Sequence, residues 1–139
     1  MTILVTDQGF QPEDWTHGFT QLEQLPANDG SPAIAVDVPS DADVLIFDGR
    51  LDAIDLIRVD FPSFADGRGF TIARNLRRMG FAGRLRAKGH VIADQYTMAR
   101  RSGFDEVEID EALAARQPEK QWLRRADWHA HDYQARLKA

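Results

Sequence analysis

The chain contains no cysteine. Disulfides, thiol redox chemistry, thiolate-held iron–sulfur clusters and cysteine zinc sites are therefore excluded, and a reducing cytoplasm is the expected compartment. No apolar run approaches the roughly 20 residues that span a bilayer, so no membrane partner is expected. The opening Met1-Thr2-Ile3-Leu4-Val5-Thr6-Asp7 has no basic stretch and turns acidic at once, unlike a secretory signal. Phosphate-loop, dinucleotide-binding and nucleophile-elbow glycine motifs are also missing, so no cofactor is identified.

What is present suits one soluble domain. The 139 residues are 43% hydrophobic and 28% charged, enough for a core without staples. The net charge of -5 hides an asymmetry. Arg68 to Arg101 holds nine basic residues, eight of them Arg, and a single acid, Asp94. The rest of the chain holds eight bases and 21 acids. Either the two kinds of segment pair on the folded surface, or the arginines build an anion site, since guanidinium suits planar, bidentate oxyanion recognition. Nucleic acid is not expected, for the chain is acidic and carries no basic groove interleaved with aromatics.

Apolar runs alternate with glycine stops. Residues 3–6, 33–38, 54–61, 83–87 and 104–109 read as strands, and residues 71–79, 91–102 and 110–116 as helices. Val44-Leu45-Ile46-Phe47 is either a strand or a helical turn, and Pro12-Glu13-Asp14-Trp15 is expected to start a helical turn. The alternation predicts an α/β fold: a small parallel-sheet βαβ domain, partly barrel-like or three-layered. Residues 1–50 form an N-terminal strand and loop segment of that domain, 51–116 its βαβαβ core, and 117–139 a C-terminal tail. Pro118 frees the tail, and Trp122, Trp128 and Tyr133 give it apolar surface that must dock. The expectation is packing across a neighbouring subunit in a homodimer, with docking on its own chain as the competing reading.

In parallel sheets the loops at the carboxyl ends of strands hold ligands. Asp66 and Arg68 lie in one such turn, and Arg86, Lys88 and His90 in the next. They are expected to converge on a small oxyanion, with Arg74 and Asp94 nearby as further binding residues and His90 as a general acid or base. The competing readings are an Asx-turn in which Asp66 caps and pairs Arg68, a surface His90, and a structural Asp94–Arg pair. His129 and His131 with Asp127 and Asp132 resemble metal ligands by composition only, and no metal site is assigned.

The stretches Phe61-Pro62-Ser63-Phe64-Ala65-Asp66-Gly67-Arg68-Gly69, Ala73-Arg74-Asn75-Leu76-Arg77, Gly83-Arg84-Leu85-Arg86-Ala87-Lys88-Gly89-His90-Val91, Asp94-Gln95 and Gly103-Phe104-Asp105 resemble, in order and spacing, a bacterial family known as domain of unknown function 934. Its members are commonly described as oxidoreductases, without an established reaction, and occur beside assimilatory sulfite reductase and other sulfate-assimilation genes. The resemblance implies an accessory role in sulfite reduction for cysteine biosynthesis, with sulfite reductase as a partner. An enzyme acting on a small anionic substrate, and an interaction module without a small ligand, are the alternatives.

Overall fold

The computed structural model describes residues 2–21 and 33–126. The strands are β1 (Thr2–Thr6), β2 (Gly9–Pro12), β3 (Thr20–Gln21), β4 (Ala35–Val38), β5 (Leu56–Phe61), β6 (Arg84–Gly89) and β7 (Glu106–Asp110). The helices are α1 (Arg68–Arg78), α2 (Tyr96–Ser102), α3 (Glu111–Arg116) and α4 (Glu119–Leu123). All seven strands form one sheet in the order β2-β1-β7-β6-β5-β4-β3. Strands β3 to β7 run parallel, and β1 is antiparallel to both β2 and β7. The small α/β fold with parallel β5, β6 and β7, linked by α1 and α2, is the one expected from the apolar alternation.

Each step from β4 to β7 moves to the next position in the same direction. Right-handed crossovers taken repeatedly in one direction lay every connecting helix on the same face. The core reflects this. Val36 and Val38 of β4, Ile57, Val59 and Phe61 of β5, Leu85 and Ala87 of β6, and Val107 and Ile109 of β7 share one cluster with Phe70, Ala73 and Leu76 of α1, Tyr96 and Ala99 of α2, Leu113 of α3 and Trp122 of α4. Among the described residues the helices cover only this side, so the sheet is singly wound, as in an α/β barrel, but open.

Side chains alternate along a strand, so the intervening residues face the other way. That second face is charged. Asp37, Arg58, Arg86 and Glu106 stand opposite one another on β4, β5, β6 and β7. The expected helical turn at Pro12–Trp15 does not form; Pro12 ends β2, and Glu13 and Asp14 reach instead to Arg86 and Arg84. The open case at 44–47 resolves as a 3-10 turn. Val44 and Phe47, three apart, are buried while Leu45 and Ile46 face outward, the spacing such a turn requires. The helix expected over 91–102 divides into a 3-10 turn at Ala93–Gln95 and then α2.

Trp122 lies in its own chain's core, 1% exposed, edge-on to Tyr96 at 6.1 Å between centroids. Its indole N–H donates to the Gln117 carbonyl at 2.9 Å. The intersubunit packing expected of this tryptophan is therefore corrected: α4 turns it inward. Asp127, Trp128, His129, His131, Asp132 and Tyr133 lie outside the described residues. No helix among the described residues is long and apolar enough to cross a membrane.

Candidate anion site at the carboxyl edge

The residues singled out from the sequence fall into separate places. Asp66 and Arg68 bind each other. The Arg68 Nη2 donates to Asp66 Oδ2 at 2.8 Å, Nε to Oδ1 at 3.0 Å, and the Arg68 backbone N–H to the same Oδ1 at 3.1 Å. The Arg68 side chain first, and then its backbone N–H, hold the Asp66 carboxyl well below the usual carboxylate range. Arg68 also reaches Ser40 Oγ at 3.0 Å. The pair borders a cavity of about 440 Å³ whose further lining includes Asp41, Asp43 and Asn75, a setting with more negative than free positive charge. The capped turn thus describes these two residues better than an anion clamp.

Arg86 is fully buried and takes no part in that edge. On β6, Arg84, Arg86 and Lys88 alternate with Leu85 and Ala87, so the arginines point to the face away from the helices. Arg86 donates to Glu106 Oε2 at 2.6 Å, Glu108 Oε1 at 2.7 Å and Glu13 Oε2 at 2.7 Å. Burial opposes its charge, but Glu13, Glu106 and Glu108 outweigh burial and raise its pKa above the ordinary arginine value. Arg58 bridges Asp37 and Glu108, with its guanidinium 3.4 Å above the Phe19 ring centroid. Arg84 holds Glu106 and Asp14. The acidic–basic asymmetry of the sequence is resolved here by internal pairing. Asp94 likewise pairs with Arg125 at 2.9 Å, a partner supplied by the segment after α4. Arg74 is exposed on α1 and lines none of the cavities described.

Lys88 and His90 stay together. They lie at and just beyond the carboxyl end of β6, where they line a cavity of about 160 Å³ with Gly89, Asp110, Leu113 and Arg116. A second cavity of about 290 Å³ shares His90, Leu113 and Arg116 and extends over Phe64, Ile92 and Gln117. Gly89 turns the chain here at φ +115°, and a Cβ on it would stand 2.7 Å from the Phe61 carbonyl oxygen, so only glycine fits. The turn brings the His90 backbone N–H to that carbonyl at 3.0 Å and its Nδ1 to 3.3 Å. His90 therefore rests on β5 through one edge of its ring.

The two carboxylates that line the smaller cavity already have partners. Glu108 holds Arg58 and Arg86, and Asp110 accepts from the Leu113 backbone N–H at 2.8 Å as the cap of α3. The side chains of Lys88 and Arg116 have neither a hydrogen bond nor an ion pair among the described residues. Lys88 and Arg116 thus stand as two unpaired cations beside His90, while Asp110 keeps its charge and that of Glu108 is shared with Arg58 and Arg86. Sequence reasoning missed Arg116. The signal was available: α3 follows β7 as α1 follows β5, so its residues border the same edge.

The molecule is thus an open, singly wound α/β protein with a small cleft, lined by Lys88, His90 and Arg116, at the carboxyl ends of β6 and β7. The chain belongs to the DUF934 family, described as bacterial protein of unknown function, whose model matches residues 35–139. No curated protein matches the chain.

Proposed function

We propose that this protein is an accessory component of assimilatory sulfite reduction that binds a small oxyanion at the carboxyl edge through Lys88, His90 and Arg116. The observation that carries the anion site is the cleft where Lys88 and Arg116, unpaired among the described residues, meet His90, while the other candidate clamps are neutralised by carboxylates. The metabolic setting rests on the resemblance of the motif stretches to a family associated with sulfite reductase. Titration calorimetry with sulfite and sulfate tests the site. Binding by the wild type, weakened about tenfold or more in Lys88→Met and again in Arg116→Gln, matches the loss of one charge-assisted hydrogen bond each. Equal heats in all three proteins remove the site. Deleting the gene tests the setting. The deletion strain should grow poorly on sulfate or sulfite and normally on sulfide or cysteine; equal growth on all four sources removes the sulfite-reduction role.

One observation favours a second reading, an enzyme on an anionic substrate. His90 borders both cavities with Nδ1 set toward the Phe61 carbonyl, which leaves Nε2 for proton transfer to a bound anion. In that case His90→Gln retains anion affinity but loses all turnover of the bound anion.

A further inference from the structure

The geometry points to an amphipathic ligand: a singly charged oxyanion carrying a compact apolar group of about one ring, with its head among Lys88, His90 and Arg116 and its tail under Phe64. This deepens the anion-site reading and rests on it. A bare oxyanion would need only the 160 Å³ cavity. The adjoining 290 Å³ cavity shares His90, Leu113 and Arg116 with it, and Phe64, Ile92 and Leu113 supply its apolar lining. An apolar cavity of about 150 Å³ already admits benzene, so a phenyl or branched alkyl group fits, whereas a dinucleotide does not.

Phe64 is the distinctive part. Its side chain stands at the mouth, 59% exposed, although a large aromatic left in water at the rim of an apolar cavity marks a binding surface. The walls are pre-set. Gln95 Nε2 donates to the Phe64 carbonyl at 2.7 Å, and Gln95 Oε1 accepts from the Ile92 N–H at 3.0 Å. On the far wall Gln117 Oε1 accepts from the Ala93 N–H at 2.6 Å, and the Gln117 carbonyl is held by Trp122. Backbone and glutamine side chains fixed in this way leave less of the wall to be ordered when a ligand arrives.

Two probes share one head and differ in the tail, namely methanesulfonate and benzenesulfonate. Calorimetry on the full chain should show benzenesulfonate binding about tenfold or more tighter, as expected for partly burying a ring. Phe64→Ala should bring that ratio near one and leave methanesulfonate affinity unchanged. Because Phe64 is largely exposed, the variant should fold, which its melting temperature confirms. Arg116→Gln should weaken both probes alike. Equal binding of the two probes to the wild type, or an unchanged ratio in Phe64→Ala, overturns the apolar lobe and leaves the anion site standing. Binding of neither probe overturns both.

Discussion

Arg86 shows how a residue can be conspicuous in the sequence and structural in the protein. Its four contacts in the ionic network are two glutamates of β7, Glu13, and Asp14 at 3.6 Å. Replacing Arg86 with Met leaves Glu106 with Arg84 alone and Glu108 with Arg58 alone, and removal of the buried partner is expected to cost about 3–5 kcal/mol in urea denaturation. Glu13 belongs to the same network but lies nearer solvent. Burial pushes its carboxyl up, but the Arg86 hydrogen bond and charge together with the backbone N–H groups of Trp15 and Asp14 outweigh this, so its folded pKa is lowered. A depressed carboxylate stabilises fully above its unfolded value of about 4.3, and that contribution fades as pH falls through the folded value. Glu13→Gln should therefore be less stable than wild type between pH 6 and 8 by about 1.5–3 kcal/mol, with the two proteins converging toward pH 3. Parallel denaturation curves at every pH would remove Arg86 as its partner. The side of the sheet on which Arg86 falls was legible from Arg84-Leu85-Arg86-Ala87-Lys88, where alternation assigns the apolar residues to the helices. What filled the opposite side was not legible, because Glu13 and Glu108 are brought in from 73 and 22 residues away.

At the level of elements, the glycine stops and apolar periods made β5, α1, β6 and β7 readable. Gly103 closes α2 at φ +117°, and Asp110 caps α3, both signals visible in the chain. The short pieces were not readable. β3 has two residues, and α4 spans five after Pro118, too few for periodicity to declare itself. Yet α4 delivers the largest fully buried side chain, Trp122. Trp122→Ala should cost about 3–5 kcal/mol and should also loosen the Gln117 wall of the larger cavity, lowering benzenesulfonate affinity more than methanesulfonate affinity. Tyr96, which meets that indole, donates its hydroxyl to Asp7 at 2.6 Å; burial first and then Asp7 raise its pKa. Asp7 keeps Arg100 as a partner, so Tyr96→Phe should destabilise the protein by about 0.5–1.5 kcal/mol through the lost hydrogen bond, with no dependence on pH from 6 to 9.

For the molecule as a whole, the singly wound order explains why the cleft forms where it does. Every strand-to-helix turn from β5 to β7 ends on one edge, so residues from 64 to 117 border neighbouring cavities with shared walls although the sequence separates them. The antiparallel β1 sits beyond this run and covers the free edge of β7, which would otherwise present unpaired backbone groups. Removing residues 1–12 should therefore turn a well-behaved protein into one that associates, seen as growing mass by light scattering.

The same β1–β7 pairing sets a timetable for synthesis. Thr2 pairs with Asp110 and Val5 with Val107, so β1 leaves the ribosome long before its partner and waits for it. At about 5–20 residues per second, that wait is roughly 5–20 s. During it the β1–β2 hairpin has no sheet to join, whereas β4, β5 and β6 can dock in the order they emerge. The nascent chain would thus acquire its parallel centre first and its antiparallel border last, and proteolysis of stalled chains should find the hairpin protected only once β7 is clear of the tunnel.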